Sequence, residues 1–203
     1  MSILPKSPIR YLISRGNLNP SNFSTEKLKT LETVRFAVER GIEMVQIREK
    51  SLEERDLFEL TLQAVKLAVA SDVRILVNER FDVAVAARAD GVQLTSTSIP
   101  VECVSRAVPQ GFLIGVSTHS EREVLNAKAA GADFAVFGNV FATPGKGEPT
   151  GVGGLSSLCA AVGEFPVIAV GGIDESNMDS VIDAGAAGFA AIRYLNEFVS
   201  IGA

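Results

Sequence analysis

The chain has 203 residues, 47% of them hydrophobic and 21% charged, a balance that fits one globular domain over 1–203 with enough apolar material for a sizeable core. A net charge of −5 argues against a nucleic-acid partner, which demands a basic face. No apolar run approaches the roughly 18 residues that cross a bilayer, Pro5 and Pro8 break up any secretory signal, and Cys103 and Cys159 match no metal spacing, so a reducing cytoplasm is the expected compartment.

Along the chain, short apolar runs stand at 11–14, 44–47, 74–77, 91–94, 113–116, 134–137, 167–170 and 188–192. Apolar at almost every position, they suit strands buried on both faces. Segments of helical period lie between them. Leu31, Val34 and Val38 share a face over 30–40, and Leu57, Leu60, Ala64, Leu67 and Ala68 do so over 52–70; 121–130 and 177–184 follow. Strands alternating with helices imply right-handed βαβ units, and eight units closing on themselves make an α/β protein of the (β/α)8 TIM-barrel type. An open doubly wound sheet is the alternative, disfavoured because no dinucleotide glycine fingerprint follows the first run.

A short echo recurs before four of the runs, around Gly41, Gly91, Gly131 and Gly185, where a glycine is expected to stop a helix as a left-handed cap. Residues 1–7 and 16–24 read as irregular, and only 194–203 remain for a last helix.

A barrel of this type carries its site on the C-terminal ends of its strands. After the second run, Gln46, Arg48 and Lys50 alternate to one side and suit an anion clamp, with a solvated charged turn as the plainer alternative. After the third come Asn78, Glu79 and Asp82, the last also a candidate helix cap. The fourth run is followed by hydroxyls at 95–98 and no carboxylate. The fifth leads to Ser117 and His119, the only histidine, which is either structural or an acid/base whose ordinary pKa near 6.5 suits proton transfer. The long glycine-containing stretch 138–154 brings Thr143 and Lys146. Gly171 and Gly172 after the seventh run, with Arg193 after the eighth, form the strongest signal: a phosphate cradle of bare backbone N–H groups and one fixed cation.

Taken in order, residues 46–50, 78–82, 89–94, 114–119, 131–134 with 137–138, 143–146, and 170–173 with Asn177 and 184–186 resemble the thiamine phosphate synthase/TenI superfamily over nearly the whole chain. The resemblance implies one of two chemistries. A thiamine phosphate synthase joins a pyrimidine pyrophosphate to a thiazole phosphate with Mg²⁺. A TenI-type thiazole tautomerase moves a proton on a thiazole carboxylate phosphate to make the ring aromatic, and needs no metal.

The departures from the synthase pattern point to the second branch. The Asp that holds Mg²⁺ after the fourth run is missing from 95–98, and Glu79 stands where a second metal Asp is expected. Gly145 replaces one of two loop threonines, and Arg193 replaces a serine. Mg²⁺ usually takes one or two carboxylates, so these losses weaken the synthase reading.

The expectation is therefore a cofactor-free tautomerase with His119 as acid/base. Gln46, Arg48, Lys50, Asn78, Ser117, Thr143, Lys146, Gly171, Gly172 and Arg193 would hold a thiazole phosphate. A synthase using Mg²⁺ on Glu79 is the runner-up, and a catalytically silent phosphate-binding paralogue the third reading. A homo-oligomer is left open, and Arg193 has a second use as an ion-pair partner of Glu197, four positions on.

Overall fold

The computed structural model describes residues 4–6 and 8–196. Eight strands run in parallel: β1 (Ile9–Ile13), β2 (Met44–Ile47), β3 (Arg74–Asn78), β4 (Gly91–Leu94), β5 (Leu113–Thr118), β6 (Phe134–Phe137), β7 (Val167–Val170) and β8 (Gly188–Ala191). Each pairs with the next and β8 returns to β1, so the sheet closes as the (β/α)8 reading expects. Between the strands lie α1 (Phe23–Arg40), α2 (Glu54–Ala68), α3 (Phe81–Ala86), α4 (Val101–Ala107), α5 (Glu121–Ala129), α6 (Gly151–Val162) and α7 (Met178–Asp183). Helical residues resume at 193–196, where the description ends, so Glu197 and most of 194–203 lie outside the described residues. Residues 1–3 and 7 do too. Among the described residues no helix is long and apolar enough to cross a membrane.

Strand alternation divides the core in two. Ile9, Tyr11, Ile13, Met44, Leu76, Leu113, Phe134, Val136, Ile168 and Ala190 fill the barrel interior. The intervening residues, such as Leu12, Val45, Ile75, Val77, Ala135 and Ala169, face outward and join the helix stripes of Leu31, Val34, Leu57, Leu60 and Leu155. Runs that are apolar throughout are the consequence of having both faces covered.

Several boundaries differ from the sequence reading: β1 runs from Ile9 to Ile13 rather than 11–14, and α3, α4 and α6 are given no range there. The first helix starts at Phe23 rather than 30, because a turn at Asn19 launches it: the backbone N–H groups of Asn22 and Phe23 donate to the Asn19 carbonyl, and the Asn19 N–H donates to Asn22 Oδ1. Its first turns carry few apolar residues, so periodicity misses them. The tail of the loop at 138–154 is already helical from Gly151. In the echo, Gly41, Gly131 and Gly185 do take left-handed φ, but Gly91 does not. Arg88 takes φ 58° there, and Gly91 lies inside β4, where a Cβ would stand 2.5 Å from the Leu113 carbonyl oxygen.

The echo has a further use. The residue before β2, Glu43, accepts the Arg10 N–H at 2.8 Å. The residue before β4, Asp90, accepts the Ile75 N–H at 2.8 Å, and the residue before β6, Asp133, accepts the Ile114 N–H at 2.7 Å. Each carboxylate clips the start of its own strand to the strand before it. Before β8 the residue is Ala187, and that pair has no such clip.

The clips differ electrostatically. Burial pushes the Glu43 carboxyl up, but the Arg10 guanidinium (3.0 and 2.8 Å) and backbone N–H outweigh it and hold the group below the usual range. Asp133 has only the Ile114 N–H to offset burial, and its carboxyl is pushed up. A lowered carboxyl adds stability above its unfolded pKa and loses it as pH falls; a raised one imposes a penalty at neutral pH that acid relieves. Glu43→Gln is therefore expected to cost about 1–2 kcal/mol at pH 7, a gap that closes as pH falls through the lowered Glu43 pKa to about pH 3, whereas Asp133→Asn leaves stability at pH 7 equal or higher. Urea unfolding at both pH values reads the two signs.

Candidate active site

At the C-terminal end of the barrel the strands surround a cavity of about 600 Å³. Each strand gives its floor one inward side chain: Ile13, Gln46, Asn78, Gln93, Ser117, Val136, Val170 and Ala190. The floor is thus divided. The half on β2–β5 carries amides and a hydroxyl, and the half on β6–β1 is apolar. All eleven residues expected at the site line this one cavity: Gln46, Arg48, Lys50, Asn78, Ser117, His119, Thr143, Lys146, Gly171, Gly172 and Arg193. Gln93, Thr95, Asn139 and Asp174 also line it and are absent from that set. For Gln93 the signal was available, since alternation from β4 aims it inward with Asn78 and Ser117.

Arg48 is placed by its neighbour. Glu49, only 3% exposed, accepts hydrogen bonds from Ser14 Oγ (2.6 Å), the Gly16 N–H (3.1 Å) and the Leu18 N–H (2.9 Å). Ser14 Oγ in turn accepts the Arg48 N–H at 2.8 Å. A buried carboxylate so satisfied anchors the loop after β1 to the end of β2.

His119 sits between β5 and α5. Its backbone N–H donates to Glu123 Oε2 at 2.7 Å, while Ser120 caps the helix by accepting the Glu123 N–H, so Glu123 ties the residue before the cap to the first turn of α5. Its ring Nδ1 bonds the Gly138 carbonyl oxygen. A carbonyl only accepts, so Nδ1 carries the hydrogen, and in the neutral ring Nε2 keeps its lone pair.

The loop after β6 runs beside the turn after β7. The Val140 and Phe141 N–H groups donate to the Val170 and Gly171 carbonyls at 2.9 and 3.0 Å, and Thr143 Oγ1 donates to the Phe141 carbonyl at 3.0 Å. The approach is so close that a Cβ on Gly171 would stand 2.6 Å from Asn139 Cβ, and one on Gly172 2.7 Å from the Ala142 carbonyl oxygen. Both glycines also have positive φ, so no other residue fits either place. Asn177 Nδ2 holds the turn through the Gly172 carbonyl at 3.0 Å.

On the opposite rim Glu79, at φ 60°, is surrounded by donors. Its Oε1 accepts from Thr95 Oγ1 at 2.7 Å, and from Thr97 and Ser98 at 3.4 and 3.5 Å. Its Oε2 accepts from Asn78 Nδ2 at 2.9 Å and pairs with Lys50 Nζ at 3.6 Å. The Thr95 hydroxyl first, and Lys50 and Asn78 after it, outweigh burial and hold the carboxyl below its ordinary range.

A family model described as thiamine monophosphate synthase matches residues 11–195. The chain belongs to the thiamine monophosphate synthase family. A thiamine-phosphate synthase of Methanoculleus marisnigri is 39% identical over 79% of this chain and 77% of its own length. One from Chlorobium luteolum is 35% identical over 93% and 85%. A solved structure of thiamine phosphate pyrophosphorylase from Pyrococcus furiosus superposes with a TM-score of 0.79 at 31% identity, covering 94% of this chain and 91% of that one. These names side with the synthase expectation rather than with the tautomerase.

The Mg²⁺ that the synthase branch of the family implies has a poor donor set here. On the β3–β4 rim the Glu79 oxygens are engaged by hydroxyl, amide and ammonium donors, Lys50 adds a positive charge, and Asp82, three residues on, is held by Arg80. Among the described residues no three His, Cys, Asp or Glu side chains group to hold a metal. The residues present do not fit the ion.

Thr95→Val and Lys50→Met are each expected to raise the Glu79 carboxyl toward its ordinary range, Thr95→Val by more. Titration of the side-chain carboxyl by ¹³C NMR measures both; an unmoved Glu79 in Thr95→Val would show that the hydroxyl bond is not what lowers it.

Proposed function

We propose that this protein binds a thiazole phosphate in the cavity and acts as a metal-independent thiazole tautomerase. The observation that carries the reading is the bond from His119 Nδ1–H to Gly138, which leaves Nε2 as a base at the rim. In this reading the N–H groups of Gly171 and Gly172 and the Arg193 guanidinium take the phosphate. Arg48 and Lys50, across the cavity, draw the ring carboxylate, and Thr143 and Lys146 fold over the bound molecule. Gln46, Asn78 and Ser117 meet the ring plane from the floor. Nε2 removes a proton from one ring position and returns it at another, so the ring becomes aromatic with no change in atoms or electrons.

A second reading has specific support: relatives 34–41% identical carry the synthase name. It assigns Glu79 to Mg²⁺, and the donor set described above weighs against it.

One pair of assays separates them. With the unaromatised thiazole carboxylate phosphate as substrate, followed by proton NMR, the wild type is expected to turn over equally with and without EDTA. His119→Ala is expected to lose about 10²–10⁴-fold in rate. With pyrimidine pyrophosphate, thiazole phosphate and Mg²⁺, no thiamine phosphate is expected; its formation, abolished by EDTA, establishes the second reading.

A further inference from the structure

Beneath the cavity a row of neutral side chains crosses the barrel. Gln46 Nε2 lies 3.0 Å from the Tyr11 hydroxyl, that hydroxyl 3.5 Å from Gln93 Oε1, and Gln93 Nε2 3.1 Å from Ser117 Oγ. Tyr11 is fully buried, and Gln46 and Gln93 are 2% exposed. We infer that Tyr11 and Gln93 are positioning residues that fix Ser117 as a hydrogen-bond donor to the ligand beside His119. The inference rests on the proposed reading of the cavity and deepens it.

The direction of the row follows from the atoms. An amide nitrogen only donates, so the Tyr11 oxygen accepts from Gln46. The phenol hydrogen then goes to Gln93 Oε1. With its oxygen turned toward Tyr11, Gln93 presents its NH₂ to Ser117, which must accept. The hydrogen of Ser117 is left to point elsewhere, and Ser117 lines the cavity. Ser117 and His119 are two residues apart at the end of β5, so a donor and a base stand on the same wall.

The surroundings hold the row in place. Tyr11 packs edge-on against Phe134, with ring centroids 6.1 Å apart. A Cβ at Gly115 would stand 2.6 Å from Gln93 Oε1 and 2.3 Å from Phe134, so this glycine is what lets both side chains cross the barrel. No member of the row changes charge near neutrality. Burial raises the Tyr11 phenol well above its ordinary range, and an amide does not titrate. Ser117 therefore keeps its sense across the working pH range and selects a ligand atom that accepts, such as a carboxylate oxygen or a ring heteroatom.

The test is a double-mutant cycle on Tyr11→Phe and Ser117→Ala, read as affinity for the aromatic thiazole carboxylate phosphate by calorimetry. Tyr11→Phe keeps the ring against Phe134 and removes only the hydroxyl. Each single change is expected to weaken binding about 5- to 10-fold, and the double variant no more than Ser117→Ala alone. Multiplying effects would show that Tyr11 does not act through Ser117 and would overturn the inference. A ligand-free measurement keeps the inference apart from the proposed function. In ¹⁵N-labelled protein the Gln93 carboxamide is expected to exchange slowly with solvent and to shift in both single variants. A Gln93 signal unmoved by Ser117→Ala sinks the row whatever the ligand. A wild type that binds no thiazole phosphate while the Gln93 signal behaves as expected sinks the proposed function instead.

Discussion

The pairing of β1 with β8 is the contact on which the site depends. It runs from Ile9 opposite Gly188 to Leu12 opposite Ala191, and a Cβ at position 188 would stand 2.0 Å from the Ile9 carbonyl oxygen. Only a glycine admits the two backbones at that distance. Without this seam the sheet would be open, and Arg193 would lie at one edge with Arg48 near the other. With it closed, inward side chains from eight strands meet over a single floor, and residues from 13 to 194 become neighbours. The carboxylate clips before β2, β4 and β6 brace alternate strand pairs, and the seam between β7 and β8 carries no clip. Strands β7, β8 and β1 are held by backbone hydrogen bonds and by Ile168, Ala190 and Ile9 packed inside.

Much of this was legible in the sequence, because it follows from two periodicities. Runs apolar on both faces mark strands covered by helices outside and by one another inside. Alternation within the run then sends every second residue inward, so the sequence alone brings Gln46, Asn78 and Ser117 together. Gln93 and Tyr11 obey the same rule and were passed over. Each is a polar residue inside a run that reads as core, and nothing in one run shows that another will bring it a partner. Their bonds cross from β2 through β1 to β4 and β5, and such cross-barrel pairs have no sequence spacing to announce them.

Glycines were the other limit. A glycine is used either for a left-handed φ or for missing bulk, and the letter does not say which. Gly41, Gly131 and Gly185 are of the first kind, whereas Gly91 and Gly188 are of the second. The same Arg88–Gly91 stretch that looks like a helix cap instead puts the left-handed turn on an arginine, because its glycine is needed where β4 meets β5. Gly171 and Gly172 are of both kinds at once, although what marked them in the sequence was their place after the seventh run.

The two rims of the cavity differ in the charge they can accept. Around β6–β8 the bare N–H groups of the glycines and the Arg193 guanidinium favour a compact anion. Around β3–β4 the Glu79 carboxylate is already matched by Lys50 and the Thr95 hydroxyl. A divalent ion sharing a Glu79 oxygen would lie near the Lys50 ammonium. The two cations would repel, by less than a buried pair because Lys50 is half exposed. A metal there would have to displace the hydrogen bonds that Thr95 and Asn78 make to Glu79 and share that carboxylate with Lys50, which makes this rim a poor cation site. In the proposed reading the compact anion therefore goes to the glycine rim and Arg193, and the β3–β4 rim keeps its own charge balance.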